Sequence, residues 1–463
     1  MRDQTLLDIF LSAGAHDAGN AECAYAAMGD KYLWNDAFGW LTWTGTHWDR
    51  EFAEQNLESD IITLLKSRCK LAIDKEALAI AKASTPSANH MRACKSLFGF
   101  RVLASSNDFD SNPDLLNVRN GVLDLRNGNL SEHDSSQRFT YCINTPYDPS
   151  ADDTVWTNFL WDTLSDHTDT AEARSATGRL VAYLQMVLGY VVTGHTNEEC
   201  AWFIHGPARS GKGTFTEALV KLLGYPLAIE TDFGTFTAKR EAGDQGFDLA
   251  PLKPARAVFA SESNTAEWLN TGKVKRLTGG NYITCAFKHR DQFTFRPQFK
   301  VILTSNHPVR ADVDDDAMWY RVKILEFPNG HSGTENKQLK ASIKSDENLR
   351  GILRWIVDGA MAWYTSPNGL TTPDEVNVST SKARDEIDFV QTWLAECTSA
   401  VSDVWTPNST IYASYSAWCD ENGVKRKSQR GFALTLQKKG YTTGVVQRLG
   451  LASQRGVSGL QLL

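Results

Sequence analysis

The chain has 463 residues, 42% of them hydrophobic and 22% charged, with a formal net charge of −7. This length exceeds what one hydrophobic core supports, so two to four domains are expected, and the acidic balance argues against a coat protein that covers nucleic acid with its whole surface. The chain lacks any stretch of eighteen uncharged apolar residues, and its first residues lack the apolar run of a signal peptide, so we expect a cytoplasmic protein without membrane contact.

Eight cysteines are spread singly along the chain, and no two form a C-x-x-C pair. Their spacing therefore does not predict a zinc site. In a reducing compartment, such residues serve as small buried apolar side chains. The eight are Cys23, Cys69, Cys94, Cys142, Cys200, Cys285, Cys397 and Cys419.

Residues 1–150 are expected to form a mainly helical N-terminal domain that also carries short hairpins. Residues 32–51 alternate large apolar and polar side chains around Thr44-Gly45, which predicts a hairpin. A later segment repeats this pattern, with Asn-Gly turn signals at 120–121 and 127–128. Proline and aspartate then indicate a linker near 145–153.

Residues 151–199 are expected to be a helical collar that mediates oligomerisation. The apolar residues of 179–194 recur too densely for a surface helix. This segment is therefore expected to be buried against other helices or against another subunit.

Residues 200–365 alternate short apolar runs with helices and loops. Runs of this kind, bounded by turns, are typical of a sheet that is buried on both faces. The sequence therefore predicts an α/β domain whose strands are centred on residues 201–205, 256–261, 299–305 and 322–327.

After an expected linker at 366–384, residues 385–463 read as three helices followed by two strands. This order is typical of a winged helix-turn-helix domain that binds DNA. From Glu421 onward the chain has eight basic residues and one acid, which favours contact with phosphates. The DNA-binding candidates in this part are Lys425, Arg426, Lys427 and Arg430.

A glycine-rich loop follows the strand at 201–205 and leads into a helical segment. It fits the P-loop pattern G-x-x-x-x-G-K-[ST] except that Gly213 fills the last position and the hydroxyl arrives one residue late, at Thr214. Lys212 would reach the β- and γ-phosphates of ATP, and Thr214 would supply the contact to Mg²⁺. The predicted nucleotide-binding residues are Gly206, Pro207, Ala208, Arg209, Ser210, Gly211, Lys212, Gly213 and Thr214.

Two further polar residues end apolar runs of the same predicted sheet. Glu262 could polarise an attacking water and hold Mg²⁺, and Asn306 could sense the γ-phosphate. Between them, two alternating arms flank Lys288, His289 and Arg290, which predicts a hairpin with a basic tip. Such a tip suits the phosphate backbone of DNA.

This ordered set of motifs resembles the superfamily 3 helicases, in particular the primase–helicases of phages and plasmids and their poxvirus relatives. Residues 112–125 also resemble the N-terminal region of that group. The resemblance implies an AAA+-like P-loop NTPase core at 200–365, and hexameric rings that hydrolyse ATP between subunits. It implies movement on single-stranded or forked DNA, 3′ to 5′, in the host cytoplasm if a phage encodes the chain.

By the same resemblance, Lys212 and Thr214 bind phosphate and Mg²⁺, Glu262 is the Walker B acid and Asn306 is the sensor. Arg321 falls where the family places an arginine finger that reaches the neighbouring subunit's nucleotide. Lys288 and His289 match the DNA-contacting hairpin tip of viral members. The chain departs from the family at four sets of positions, which are Gly213, Ser261, the hairpin residues Asn281 and Ala286, and the pair Tyr320-Arg321.

Two alternatives remain open at this point. One is an ATP-dependent initiator that binds DNA without processive unwinding, and the other is a nucleoside monophosphate kinase, whose phosphate loop is similar to residues 206–214. The first 150 residues offer neither a D-x-D carboxylate cluster nor a cysteine-based zinc module. We therefore expect a separate primase, or a DNA polymerase, to act with this chain.

Overall fold

The computed structural model of the chain describes residues 2–237, 247–262, 268–286, 292–330, 336–424, 426–446 and 454–463. Its buried apolar side chains form one cluster in the N-terminal part, one on each face of a central sheet, and one in the C-terminal part. No helix within these ranges is both long and apolar enough to cross a membrane.

Helices and a small antiparallel sheet make up the first hundred residues. The elements are α1 (Arg2–Ser12), α2 (Asp17–Met28), β1 (Tyr32–Asn35), β2 (Gly39–Trp43), β3 (Trp48–Asp49), α3 (Ala53–Asp74), α4 (Leu78–Ala83) and α5 (Ala88–Arg101). The strands pair in the order β1-β2-β3, and the turn at Thr44-Gly45 joins β2 to β3, so the predicted hairpin is confirmed. Trp40 of this sheet stacks on Phe98 of α5 with ring centroids 5.9 Å apart.

A second three-stranded sheet follows, formed by β4 (Leu115–Val118), β5 (Gly121–Asp124) and β6 (Asn129–Ser131). Val118 pairs with Gly121, which leaves a two-residue turn at 119–120, and Gly128 has the positive φ of 74° that the second turn requires. Both predicted turns are confirmed. The N-terminal part therefore combines its helices with two sheets.

The middle of the chain builds a five-stranded parallel sheet. In chain order its elements and their neighbours are α6 (Thr154–Leu164), α7 (Ala171–Val192), β7 (Ala201–His205), α8 (Lys212–Leu223), β8 (Ala228–Asp232), β9 (Ala257–Ser261), α9 (Thr271–Thr278), β10 (Ile283–Ala286), β11 (Gln292–Phe295), β12 (Lys300–Ser305), α10 (Asp316–Arg321), β13 (Val322–Glu326), α11 (Lys337–Ile343) and α12 (Asp346–Thr365). The strand order is β13-β7-β12-β9-β8. The four predicted strands are confirmed, and β8 is an additional strand at the edge.

Both faces of this sheet are buried, as its apolar runs predicted. On β7, Trp202 and Ile204 join the cluster that includes α6, α7, α8 and α12, whereas Ala201 and Phe203 join the cluster on the opposite face. The second cluster also includes Phe38 and other side chains of the N-terminal part. The N-terminal part therefore packs directly on the sheet.

Helix α7 is buried within the chain itself, against α12. A Cβ added at Gly189 would lie 2.1 Å from the backbone nitrogen of Ala360, and one added at Gly359 would lie 2.0 Å from the carbonyl oxygen of Gln185. The two helices can approach this closely only because both positions are glycine. The sequence left open whether this segment is buried against other helices or against another subunit. In the structure, the apolar face of α7 packs against helices of its own chain.

The C-terminal part begins with a helix where the sequence suggested a linker. Helix α13 (Asp374–Glu386) packs on β13, where the hydroxyl of Thr380 accepts a hydrogen bond of 3.1 Å from the Ile324 amide. The expectation of a linker at 366–384 was therefore wrong. Its polar composition hid a helix that buries only Val376 and Ala383.

The remaining elements are α14 (Phe389–Cys397), β14 (Thr398–Pro407), α15 (Asn408–Glu421), α16 (Gln429–Lys438), β15 (Thr443–Val446) and β16 (Gln454–Leu462). The three helices are confirmed, but the sheet has three strands, in the order β14-β16-β15, and not the expected two. Tyr415 of α15 stacks on Phe432 of α16 with ring centroids 4.3 Å apart, and Trp393 of α14 packs edge-on against both.

Candidate functional site

The glycine-rich loop connects β7 to α8 at the carboxyl edge of the sheet. A Cβ at Gly206 would lie 2.0 Å from the carbonyl oxygen of Phe327, so only glycine fits there. Gly211 precedes the first turn of α8 with a φ of 92°, a conformation that suits glycine. The loop therefore presents the amino terminus of α8 to the space above it, as phosphate binding requires.

Lys212 is a buried cation at this helix terminus. Its Nζ donates hydrogen bonds of 2.7 Å and 2.8 Å to the carbonyl oxygens of Gly206 and Pro207, and one of 3.1 Å to the Ser210 hydroxyl. Burial lowers the pKa of Lys212 to about 8. Because these partners are neutral, a phosphate would supply the counter-charge that the lysine lacks.

Glu262 and Asn306 end two neighbouring strands at the same edge. Ser261 is in register with Thr304 across β9 and β12, and the Glu262 amide donates a hydrogen bond of 2.9 Å to the Thr304 carbonyl. Ser305, a buried residue, donates a hydrogen bond from its hydroxyl to the Glu262 carboxylate. The parallel pairing thus brings together two residues that lie 44 positions apart in sequence.

Residues 208–214 of the loop, Glu262 and Asn306 line one cleft of about 890 Å³. The structure thus brings most of the predicted nucleotide-binding residues together, whereas Gly206 and Pro207 line a separate pocket. The same cleft has walls that sequence reasoning missed, namely Phe159, Asp162 and Thr163 of α6, Glu230 of β8, and Asn336, Lys337 and Lys340 near α11. We call it the P-loop cleft.

Ser305 is the most informative residue that the sequence did not reveal. Its hydroxyl oxygen accepts a hydrogen bond of 2.8 Å from the His307 amide, and its hydroxyl group donates a hydrogen bond to the Glu262 carboxylate. Its position immediately before the predicted sensor Asn306 was an available signal. Only the pairing of β12 with β9, however, shows that its hydroxyl faces the carboxylate.

Arg321 does not line the P-loop cleft of its own chain. It ends α10, where Nη2 forms an ion pair of 2.5 Å with Glu199 and Nη1 donates a hydrogen bond of 2.9 Å to the Ala317 carbonyl. Its side chain is only 18% exposed. A role toward a neighbouring subunit would require the pair with Glu199 to open.

The hairpin arms are β10 and β11, which pair antiparallel from Ile283 with Phe295 to Ala286 with Gln292. The arms of the predicted hairpin are therefore present, although the stretch before them, 271–278, is helix α9. The tip residues Lys288, His289 and Arg290 lie outside the described residues, so their DNA-binding role stays a prediction.

The basic residues of the C-terminal part have different environments. Arg426 and Arg430 are exposed, whereas Lys425 lies outside the described residues. Lys427 forms an ion pair of 2.5 Å with Asp314, in the loop before α10. The side chain of Lys427 is thus engaged by the sheet-containing part of the chain and is not free on the surface as the sequence suggested.

Asp314 is the centre of this contact. It also accepts a hydrogen bond of 2.6 Å from Thr435, and Lys438 donates one of 2.8 Å to its carbonyl oxygen. Although burial opposes the effect, the hydrogen bonds from Lys427 and Thr435 hold the pKa of Asp314 below its ordinary value. The C-terminal part is therefore tied to the segment that connects Asn306 to Arg321.

Two family models match parts of the chain. Residues 21–165 match the family described as "D5 N terminal like", and residues 204–321 match the one described as "Family of unknown function (DUF5906)". The first match begins within α2 and covers the rest of the N-terminal helices and sheets together with α6. The second covers the P-loop, Glu262, Asn306 and Arg321.

The chain is also similar to proteins of large DNA viruses. It is 28% identical over 225 residues to the provisionally named helicase L207/L206 of Acanthamoeba polyphaga mimivirus, which covers 48% of this chain and 22% of that protein. It is 23% identical over 302 residues to "Primase D5" of Fowlpox virus, which covers 59% of this chain and 37% of that protein. The chain thus spans less than half the length of these relatives. They relate it to a primase–helicase-like group of replication proteins.

A solved structure, "The A form apo structure of NrS-1 C terminal region-CTR", aligns with 92% of this chain and 95% of its own. The identity is 11% and the TM-score is 0.49.

Proposed function

We propose that this protein is an ATP-dependent DNA helicase that acts in the replication of a phage, plasmid or virus-like element. The observation that carries the proposal is the P-loop cleft. There Lys212, Glu262 and Asn306 meet at the carboxyl ends of three adjacent parallel strands, β7, β9 and β12. A phosphate loop, a carboxylate and a polar sensor in one cleft are the parts that nucleotide hydrolysis needs.

The residues of the cleft fit ATP with Mg²⁺. Within the described residues, Lys212 is a buried cation whose hydrogen-bond partners are neutral. Thr214 and Glu262 provide a hydroxyl and a carboxylate, which are the oxygen ligands that Mg²⁺ prefers. In the same part of the chain, and apart from its neighbours in sequence, only the Glu217 carboxylate, at 4.0 Å, lies near a Cβ built at Gly213, so the missing side chain leaves open space beside Thr214. When bound, Mg²⁺ neutralises charge on the phosphates.

In this proposal each protein group has a distinct task. Lys212 and the amides at the start of α8 hold the phosphates. Glu262, oriented by Ser305, accepts a hydrogen bond from the attacking water and aligns it. Asn306 contacts the γ-phosphate. When the γ-phosphate leaves, the loss of this contact shifts the segment that connects Asn306 to Arg321.

The assembly and the DNA path are parts of the same proposal. Six subunits form a ring, and Arg321 leaves Glu199 to reach the nucleotide of the neighbouring subunit. The hairpin carrying Lys288, His289 and Arg290 grips one strand and moves it, 3′ to 5′. A separate primase or DNA polymerase extends the unwound template in the host cytoplasm.

Single-strand binding distinguishes this activity from that of a small-molecule kinase. In chain order, the β10–β11 hairpin lies between β9 and β12, the two paired strands that Glu262 and Asn306 follow. A motion of the cleft would therefore be passed directly to the hairpin. A nucleoside monophosphate kinase has no use for such an element.

The test is a fork-unwinding assay with purified full-length protein, Mg²⁺ and ATP, using forks tailed on one strand at a time. We expect unwinding of one fork polarity and ATP hydrolysis that increases with single-stranded DNA. Lys212→Ala should abolish both, and Glu262→Gln should reduce both strongly to a low residual rate. Lys66→Ala, at an exposed lysine of α3, serves as the matched control.

Three outcomes would contradict the proposal. A rate of ATP hydrolysis that does not change when single-stranded DNA is added, together with no unwinding of either fork, excludes a helicase. DNA binding that requires ATP without turnover indicates an initiator. Phosphoryl transfer from ATP to a nucleoside monophosphate indicates a kinase.

A further inference from the structure

A second cavity, of about 460 Å³, lies at the base of the hairpin, and we call it the hairpin-base cavity. Four parts of the chain form its walls, which are the N-terminal segment 107–113, the loop 194–197 after α7, Lys253 before β9, and residues at the ends of β10 and β11. Its functional side chains are Asn107, Ser111, Lys253, Tyr282 and Arg296. Among the residues that the structure describes, none lines both this cavity and the P-loop cleft.

The floor of this cavity is basic. Lys253 is buried, with its Nζ donating a hydrogen bond of 3.1 Å to the Phe109 carbonyl and lying 5.3 Å from the ring centroid of Phe38. Burial lowers the pKa of Lys253, although the carboxylate of Asp110 opposes that effect. A lysine held in this way gains stability when an anion binds beside it.

A second cation lies behind the wall. Arg256 is fully buried, and a Cβ at Gly194, which lines the cavity, would lie only 2.0 Å from its Nη1. Within the described ranges, Nε and Nη1 of Arg256 have no hydrogen-bond partner, and Nη2 donates a hydrogen bond of 3.2 Å to the Asn112 carbonyl. Its charge therefore lies directly behind the cavity wall, and a buried charge is screened less than an exposed one.

Two carboxylates oppose the charge of Lys253, Asp110 and Asp108, and Asp108 is itself ion-paired with Arg138. Asp110 is buried and accepts hydrogen bonds of 2.8 Å and 2.6 Å from the amide and hydroxyl of Thr140. Those bonds point it toward the N-terminal part. The floor thus keeps an excess of positive charge, to which the exposed Arg296 adds at the rim.

The rim also carries an exposed aromatic ring. Tyr282 is 74% exposed and comes immediately before β10, while Arg296 comes immediately after β11. A flat ring beside a guanidinium and a buried lysine is the combination that binds a base and its phosphate without reading sequence. Because both residues flank the hairpin arms, a single strand held at the hairpin would lie within reach of this rim.

We propose that the hairpin-base cavity binds a nucleotide unit of the single strand, with Tyr282 stacking on the base and Arg296 and Lys253 facing the phosphate. The N-terminal part thereby forms one wall of the DNA path through Asn107 and Ser111. This inference rests on the proposed helicase function, because it takes a single strand at the hairpin as given.

The first test changes charge on the N-terminal wall, far from the hairpin in sequence. Ser111 is exposed and lines the cavity. We expect Ser111→Glu to weaken binding of a fluorescent 12-nucleotide oligothymidylate to the full chain by about fivefold at low salt, and Ser111→Lys to strengthen it by a similar factor. Ser67→Glu, which adds the same charge on an exposed face of α3, is the matched control and should leave affinity unchanged.

The second test separates stacking from phosphate contact. Tyr282→Ala should weaken binding at least about fivefold, whereas Tyr282→Phe keeps the ring and should retain affinity. Arg296→Ala should lower the slope of log affinity against log salt by about 0.7, the value of one phosphate contact on a single strand. A merely structural arginine would leave that slope unchanged.

The outcomes for the two proposals are distinguishable. If the oligonucleotide binds and all of these variants match the control, the inference is overturned while the helicase proposal stands. The same holds if inorganic phosphate or thymidine monophosphate binds at the cavity while the oligonucleotide binds elsewhere on the chain. If the variants behave as expected but the unvaried chain does not unwind forks, the cavity is a DNA site in a protein that is not a helicase. If the chain does not bind the oligonucleotide at all, both fail.

Discussion

Ser305 is expected to act on hydrolysis only through Glu262. Its hydroxyl donates a hydrogen bond to the Glu262 carboxylate, and its oxygen accepts a hydrogen bond of 2.8 Å from the His307 amide. Ser305→Ala removes this hydroxyl donor to the carboxylate without changing the charge of the P-loop cleft. The substitution therefore leaves Glu262 in place but loosens its orientation toward the water that it must align.

The size of the effect follows from the type of bond. A hydrogen bond to a charged group contributes about 1.5–3 kcal/mol when it is buried. Ser305 is buried at 2% exposure, so little water can replace the hydroxyl. If the bond matters mainly in the transition state, kcat should fall by roughly 10- to 150-fold, since about 1.36 kcal/mol corresponds to a factor of ten. The KM for ATP should change little, because Lys212 and the loop hold the phosphates.

The assay is steady-state ATP hydrolysis at saturating single-stranded DNA, with a double-mutant cycle. Glu262→Gln and the double variant should have nearly equal rates, because the serine has no carboxylate left to position. Ser305→Thr, which keeps the hydroxyl, should recover much of the lost rate. If the losses in the two single variants multiply in the double variant, Ser305 acts independently of Glu262 and the reasoning is refuted. Thermal unfolding of each variant checks that the sheet is intact.

Three further predictions concern the cations of the chain. At pH 8, close to the lowered pKa of Lys212, nucleotide binding should be accompanied by proton uptake, because a phosphate stabilises the charged lysine. At pH 6.5 the lysine is already charged, so this proton uptake should vanish. Calorimetry in buffers of different ionisation enthalpy measures the number of protons taken up. Equal uptake at the two pH values would contradict the assignment. Mixing inactive Lys212→Ala and Arg321→Ala chains should restore part of the ATP hydrolysis if Arg321 serves a neighbouring subunit, whereas a mixture as inactive as its components would exclude that role. Asp314→Asn removes the carboxylate charge that pairs with Lys427 at 2.5 Å. Duplex DNA should therefore bind more tightly and with a steeper salt dependence. Unchanged affinity would show that Lys427 does not contact DNA.

The core of the site was predictable because its signals are local. The glycine-rich loop, the strand before it and the helix after it occupy about twenty consecutive residues, and each residue type has a physical reason at its position. Gly206 and Gly211 illustrate this, since one avoids a backbone clash and the other takes a positive φ. The positions of Glu262 and Asn306 followed from the rule that parallel strands end at the same edge.

Other elements were hidden because their stabilising contacts are distant. Strand β14 pairs with β16, between Thr398 and Leu462 at one end and Pro407 and Gly456 at the other, and neither its composition nor its spacing reveals that distant partner. Helix α13 buries few side chains and depends on β13 and on Arg384, which donates to the Val313 carbonyl at 3.0 Å. A polar sequence with few apolar positions reads as a linker until the surface that it packs against is known.

The sequence by itself determined the local chemistry of this protein, namely a phosphate loop with a late hydroxyl, a carboxylate and an amide at strand ends, and a hairpin between them. Periodicity and turn residues act over a dozen positions, so they specify such features without knowledge of the rest. Only the tertiary structure decided which surfaces meet. It placed Ser305 against Glu262, Asp314 against Lys427, and the N-terminal segment beside the hairpin. Those contacts depend on pairing and packing between residues tens to hundreds of positions apart, and no local pattern encodes them.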